Sequence, residues 1–306
     1  MKNKIVLIGC GNVGMAYAYS LINQKTFVKE LILIDKNIDK ASGEALDLNH
    51  CTQFANSKIK VKVGDYYECD DADIIVIAAG ANQKVGETRK DLINKNSVIF
   101  KSIVDNISKT NFKGIYLVAT NPLDVMTYLT FKYSKSTSNR VIGSGTTLDT
   151  ARLRFLLSEK VKINSNNIEA YVIGEHGDSE FVAWSNATIG LKKINEFLSQ
   201  NELDDIEEEV RNSAYEIIEK KGATAYGIGI CLTSITNAIL EDQNTILSVS
   251  SYDKENDIYI STPAIVNRNG IQEKLFIPLN KEEQQKLAHS VNIIKDEIDK
   301  IREIEK

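Results

Sequence analysis

The chain has 306 residues, about two domains at ~150 residues each, and a chain of this length buries enough surface to fold without disulfides. A net charge of -5 argues against a nucleic-acid partner, which calls for a basic patch, and no apolar run reaches the ~18 residues of a membrane span. The N-terminal apolar run is too short for a signal peptide and leads into glycines. The four cysteines, Cys10, Cys51, Cys69 and Cys231, are scattered with no CxxC pair. This pattern implies reduced thiols, a cytoplasmic location and no metal site.

The first half alternates apolar runs with segments of helical length. Ile5–Ile8, Leu31–Ile34, Ile74–Ile77 and Ile115–Val118 read as buried strands, and the alternating stretch Lys58–Val63 as a half-exposed one. Helices are predicted over Met15–Gln24, Asp39–His50 and Asp91–Thr110. Continuous apolar strands joined by helices predict a parallel sheet covered on both faces, the doubly wound α/β (Rossmann) arrangement. After about Gly143 the texture changes. Thr147–Lys160 reads as a helix, Glu169–Ile173 as a strand, and Leu203–Lys221 as a charged helix stopped by Gly222. Ser248–Ile277 reads as antiparallel strands. Leu287, Val291, Ile294, Ile298 and Ile301 form the packed face of a last helix. The predicted organisation is therefore a dinucleotide-binding domain over residues 1–143 and an α+β domain over residues 144–306.

Five clusters carry chemistry. Gly9-Cys10-Gly11-Asn12-Val13-Gly14 is a GxGxxG turn between a strand and a helix. Gly9 permits the turn, Gly11 admits a pyrophosphate, Gly14 lets helix and strand pack, and the helix N-terminus offers free N–H groups. Asp35 lies 21 residues after Gly14, where a carboxylate accepts from an adenosine ribose and favours NAD over NADP. Gly80 to Arg89 follows the Ile74 strand, at the sheet edge where ligands bind, and has the polar, glycine-bracketed texture of a lid. Arg89 reads equally as a helix start facing solvent. Asn121, before Pro122, reads more readily as a helix cap than as a ligand. Asp149 and Arg152 lie on the predicted Thr147 helix. His176, between Gly174 and Gly177, has open backbone around it and is either a proton carrier held by a carboxylate such as Asp149 or a packed residue. The other two histidines, His50 and His289, sit in helical patterns and read as packing or surface residues.

Together these segments resemble the L-lactate dehydrogenases of the lactate/malate dehydrogenase family. The likeness runs from the Gly9 turn through GANQKVGETR, ATNPLD, GSGTTLDTAR and GEHGDSE to Lys221-Gly222-Ala223-Thr224 and the last helix. It implies reversible hydride transfer between NADH and pyruvate. His176 would be the proton donor, oriented by Asp149. Arg152 would grip the substrate carboxylate, and Arg89 on the lid would polarise the carbonyl. Gln83, Asn121 and Thr224 would be further substrate contacts. The implied NAD contacts are Gly9, Gly11, Val13, Gly14, Asp35, Lys40, Tyr66, Gly80, Ala81, Ser102, Thr120, Asn121 and Ser144. Relatives are usually homotetramers.

Within that family Gln83 separates substrates. Malate dehydrogenases carry arginine there for a second carboxylate. A neutral glutamine favours the methyl group of pyruvate, since burying an unpaired carboxylate is costly. Val85 departs from the proline common in bacterial relatives, which leaves the lid backbone freer. Many bacterial relatives are activated by fructose 1,6-bisphosphate through an arginine and a histidine. Arg154 matches the arginine, but Glu169 replaces the histidine, so weak or absent activation is expected. The rival readings are a malate or broader L-2-hydroxy acid dehydrogenase and a non-catalytic dinucleotide-binding regulator. The complete set of His176, Asp149, Arg152 and Arg89 argues against the regulator.

Overall fold

The computed structural model describes residues 2–81 and 89–304. In chain order the first elements are β1 (Lys4–Ile8), α1 (Asn12–Asn23), β2 (Glu30–Ile34), α2 (Ile38–Cys51), β3 (Lys60–Val63) and β4 (Ile74–Ile77). Next come α3 (Arg89–Ile107), β5 (Ile115–Val118), α4 (Leu123–Ser134) and β6 (Val141–Gly143). Strands β1 to β6 pair in parallel in the order β3-β2-β1-β4-β5-β6, the doubly wound sheet expected from the apolar runs. Both faces are covered, and the pleat divides each strand between two cores. Ile5 and Leu7 pack with Leu21 and Ile22 of α1 on one face, while Val6 and Ile8 pack with Phe100 of α3 and Met126 of α4 on the other.

The second half adds α5 (Thr147–Val161), β7 (Ile168–Glu169), β8 (Val172–Ile173), β9 (Phe181–Val182), β10 (Thr188–Ile189) and β11 (Lys192–Lys193). Then follow α6 (Gln200–Lys221), α7 (Tyr226–Leu240), β12 (Thr245–Asp253), β13 (Ile258–Asn267), β14 (Gly270–Lys274) and α8 (Lys281–Ile304). Leu153 and Leu157 of α5 share a third core with Leu203, Ile206 and Val210 of α6. The stripe on α8 is packed as expected, with Ile294, Ile298 and Ile301 buried against the α3–α4 face of the main sheet.

Two features differ from the reading of the sequence. The single strand expected over Glu169–Ile173 is two short ones in different sheets. β7 pairs with β10, and β8 with β9. Between them, side chains of α5 take the backbone groups a ladder would use. Arg154 Nε donates to the Ala170 carbonyl at 3.1 Å, and Val172 N–H donates to Thr150 Oγ1 at 3.1 Å. Strands β12, β13 and β14 are antiparallel as expected, but they extend the main sheet, with β12 joined to β6 at Ser250 and Gly143. A side chain at 143 would put its Cβ 2.7 Å from Ser250 Cβ, so glycine is what permits this seam.

All four cysteines are unpaired. Burial pushes the thiols of Cys10, Cys69 and Cys231 up to about 12, which leaves them unreactive at neutral pH. No helix among the described residues is long and apolar enough to cross a membrane.

Candidate active site

The register of the parallel strands brings Ile8, Ile34, Ile77 and Val118 into line. The loops that follow β1, β2, β4 and β5 therefore emerge at one edge of the sheet, the carboxyl edge where doubly wound folds bind ligands. Here the glycines of the first loop divide their work as their spacing predicts. Gly9 has φ +106, and a Cβ there would lie 2.6 Å from the Ala79 backbone nitrogen. A Cβ on Gly14 would lie 2.0 Å from the Gly9 carbonyl oxygen. Gly11 has no described atom within 4 Å of its Cβ position, so its backbone faces open groove. That opening belongs to a cavity of about 760 Å³ lined by Gly9, Gly11, Asp35, Lys40, Tyr66, Gly80 and Ser102.

Asp35 closes the end of β2 with both oxygens held. Oδ2 accepts from Cys10 N–H at 2.8 Å and Oδ1 from Asn37 N–H at 2.9 Å. Two backbone donors keep the carboxylate aimed at the groove. Val13 and Gly14 lie in the first turn of α1, and Ala81 follows Gly80. Thr120 Oγ1 donates to the Ala79 carbonyl at 2.9 Å, and Ser144 N–H to the Val118 carbonyl at 2.9 Å. Val13, Gly14, Ala81, Thr120, Asn121 and Ser144 do not line the cavity itself.

The cap expected of Asn121 is not found. Helix α4 is capped by Pro122, with no side-chain cap hydrogen bond, and the Asn121–Pro122 peptide is cis. The proline ring leaves this terminus without a capping side chain. Instead the Asn121 carbonyl accepts from Asn96 Nδ2 at 2.9 Å, while Asn96 Oδ1 accepts from Ala81 N–H at 2.8 Å. The buried amide of Asn96, on α3, thus ties the loop after β4 to the loop after β5. Nothing in its helical sequence context marks it for this.

The second cluster joins α5 to the loop after β8. Asp149 sits in the first turn of α5 and is 2% exposed. Its Oδ2 lies 2.7 Å from His176 Nδ1, and its Oδ1 accepts from Arg152 Nη1 at 2.7 Å. The i,i+3 spacing on a helix brings the last two together. His176 is 25% exposed. With Nδ1 committed to Asp149, Nε2 is the ring nitrogen left for a ligand. The backbone of His176 is held too, its N–H donating to Asp124 Oδ2 at 2.8 Å, while Asp124 Oδ1 accepts from Ser250 Oγ at 2.5 Å. Glu180 completes the group, with Oε2 3.8 Å from His176 Nδ1.

Charge follows from this arrangement. Burial opposes a proton on His176, but the adjacent Asp149 carboxylate outweighs it through charge and hydrogen bond. With Glu180 and Asp124 adding, the ring is raised to about 9. Burial likewise opposes ionisation of Asp149, yet His176 and Arg152 hold its carboxyl below the ordinary range. Burial raises Asp124 to about 6 against the hydrogen bonds it receives. Burial and the facing Asp149 push Glu180 well above the usual carboxylate range. The result is one cationic imidazole and one guanidinium around a single firmly ionised carboxylate.

Of the remaining candidates, Thr224 is half-buried between α6 and α7. The start of α7 packs on Leu148, where a Cβ on Gly227 would come within 2.9 Å. Arg89 opens α3. Gln83 and Val85 lie outside the described residues. Sequence reasoning missed Asp124, Ser250 and Asn96, whose partners lie 15 to 126 residues off in the chain, and Glu180, which lies in an irregular turn four residues after His176.

Comparison with known proteins accords with this geometry. The family model described as the lactate/malate dehydrogenase NAD-binding domain matches residues 3–143, and that of the lactate/malate dehydrogenase alpha/beta C-terminal domain matches residues 146–305. The chain is 53% identical to an L-lactate dehydrogenase of Bacillus pumilus over 304 residues, covering 96% of each chain. It is 47% identical to an L-lactate dehydrogenase of Borrelia hermsii over 311 residues, covering 98% of each. Among solved structures, a lactate dehydrogenase enzyme from a Medee basin deep-sea metagenome library superposes with TM-score 0.95 at 47% identity, over 99% of this chain and 100% of that one. The minor L-lactate dehydrogenase of Enterococcus mundtii superposes with TM-score 0.94 at 41% identity, over 97% of each. The chain belongs to the lactate/malate dehydrogenase family.

Proposed function

We propose that this protein is an NAD-dependent L-lactate dehydrogenase, interconverting pyruvate and L-lactate. The observation that carries the reading is the contact of Asp149 with both His176 and Arg152, each at 2.7 Å. It sets a proton donor and a carboxylate anchor side by side.

The groove at the sheet edge fits a dinucleotide. Gly11 leaves it open where a Cβ would intrude, and Asp35 presents an oriented carboxylate. Gly9, Gly11, Val13 and Gly14 would hold the pyrophosphate at the start of α1. Asp35 would take the ribose, and Lys40, Tyr66, Gly80, Ala81, Ser102, Thr120, Asn121 and Ser144 the rest. When bound, NADH supplies the hydride.

The chain supplies the rest. Arg152 holds the substrate carboxylate with a charge-assisted fork. His176 gives the proton on Nε2 to the carbonyl oxygen as that oxygen becomes an alcohol, and in the reverse direction it takes the proton back. Asp149 keeps the ring in the correct tautomer and stabilises its charge. Arg89 polarises the carbonyl and stabilises negative charge developing on its oxygen. Gln83, Asn121 and Thr224 enclose the methyl end and the rest of the substrate. The two arginines offset the net charge of -5, which opposes anionic ligands. The direct test is NAD+ reduction with each enantiomer of lactate. L-lactate should support it and D-lactate should not, and preference for D-lactate would overturn the reading.

We further infer a cytoplasmic homotetramer. Support comes from Tyr19, Tyr226 and Ile230, which are exposed around a groove between α1 and α7. Sedimentation equilibrium should give four times the chain mass.

The sugar-bisphosphate prediction also rests on a specific contact. Arg154 Nη2 lies 3.5 Å from Glu169 Oε2, and its guanidinium stacks on Tyr171 at 4.8 Å. An arginine already facing a carboxylate, in a place that would hold a phosphate, makes phosphate binding unfavourable. Adding fructose 1,6-bisphosphate should leave the pyruvate concentration for half-maximal rate nearly unchanged. A large drop would contradict this.

A further inference from the structure

The mechanism above uses one carboxylate on the Nδ1 side of His176, and the structure places two there. Ligand atoms of Asp149, His176 and Glu180 all lie within 4.8 Å of one another. Asp149 has close cationic contacts with His176 and Arg152. Glu180 is 6% exposed, approaches His176 Nδ1 at 3.8 Å and shares a carboxyl–carboxyl hydrogen bond with Asp149. A buried carboxyl placed against another carboxylate is an expensive arrangement, and packing alone could have been met by an apolar side chain.

The backbone around Glu180 is fixed. Its N–H donates to the Gly177 carbonyl at 3.1 Å, and its own carbonyl accepts from Arg211 Nη2 at 3.3 Å. Its side chain is therefore set by a short turn shared with His176, four residues earlier. The charged and titratable groups facing this pair come from several elements: Asp124 on α4, Asp149 and Arg152 on α5, Glu175 beside His176, Arg211 on α6 and Cys231 on α7.

We propose that Glu180 is a positioning residue for His176. Its carboxyl, the second on the Nδ1 side of the ring, ionises in concert with the imidazole and extends to higher pH the range over which His176 keeps its proton. The logic is reciprocal. Two carboxylates this close resist joint ionisation, so Glu180 keeps its proton at low pH. Once Glu180 ionises, its charge faces the imidazolium and strengthens the hold on the ring proton. The two groups then titrate as one coupled system. Burial and Asp149 hold Glu180 above the usual carboxylate range, which places its ionisation nearer that of the ring. The consequence for the reaction rests on His176 as proton donor, but the coupling itself does not.

The test follows the imidazole directly. The chain has three histidines, so the ring proton resonances of the full-length protein with NADH bound can be assigned by comparison with His176→Asn. In the unaltered protein the His176 resonance should show two inflections with pH, one of them from Glu180. In Glu180→Gln, which is nearly isosteric, one inflection should vanish. The midpoint for loss of the ring proton should fall by about one pH unit, the effect of removing one charge at this distance. The alkaline fall of kcat/KM for pyruvate should move down with it. Glu180→Asp keeps the carboxyl and should restore part of the shift. A single inflection in the unaltered protein, or an unchanged midpoint in Glu180→Gln, would overturn the proposal. Unequal outcomes separate the two readings. A shifted ring titration with no change in the activity profile would indict His176 as proton donor rather than Glu180.

Discussion

His176→Asn is expected to lower kcat for pyruvate reduction by about 10²–10⁴-fold while leaving NADH binding in place. Asparagine fills much of the same space and can still face Asp149, but it carries no transferable proton near neutral pH. His176 is not among the residues that line the dinucleotide groove, which come from the loops after β1, β2, β3 and β4 together with α2 and α3. NADH affinity, followed by fluorescence, is therefore the internal control. Turnover retained in the variant would show that the proton comes from elsewhere. The same chemistry fixes a pH dependence. With burial outweighed by Asp149, the ring is raised to about 9. Pyruvate reduction uses the protonated ring, so its rate should be steady below that range and fall as pH rises through about 9. Lactate oxidation uses the neutral ring and should rise over the same range.

Arg152→Lys is the second large effect. Lysine keeps the charge but loses the planar fork, and one substitution removes two things. The paired hydrogen bonds to the substrate carboxylate are reduced to one, and Asp149 loses the bond at 2.7 Å that steadies it beside His176. A hydrogen bond to a charged group contributes about 1.5–3 kcal/mol, so kcat/KM for pyruvate should fall by about 10²-fold or somewhat less. The loss should appear mainly in KM, because the anchored carboxylate is bound alike in ground and transition states. An unchanged KM would show that the carboxylate is held elsewhere.

The sequence makes the doubly wound half legible because its strands are buried on both faces. Ile5–Ile8 and Ile74–Ile77 therefore read as unbroken apolar runs, and glycines punctuate the turn after β1. The seam between β6 and β12 is not legible. It rests on one paired position, Ser250 with Gly143, and on a steric fact about Gly143 that only the assembled sheet reveals. The break of the expected Glu169–Ile173 strand is hidden for a similar reason, since Thr150 and Arg154 capture its backbone from another element.

The site divides the same way. His176, Asp149 and Arg152 stand in compact motifs, and helix periodicity alone puts Asp149 and Arg152 together. Asp124 and Glu180 look like ordinary surface acids until folding buries them against His176. The place of Asn121 before a proline predicts a cap, whereas its carbonyl is what the structure uses. Local spacing carries no information about the pairings of Asn121 and Asp124, whose partners lie from 25 to 126 residues away.

In the proposed reading substrate choice rests on Gln83, a neutral residue where the family resemblance implies arginine in malate-specific relatives. Gln83→Arg should raise turnover of oxaloacetate and lower that of pyruvate. The most direct test of the whole account needs no variant. It is kcat/KM for NADH oxidation measured side by side with pyruvate and with oxaloacetate. A clear preference for pyruvate is predicted, and faster turnover of oxaloacetate at equal concentration would contradict the assignment.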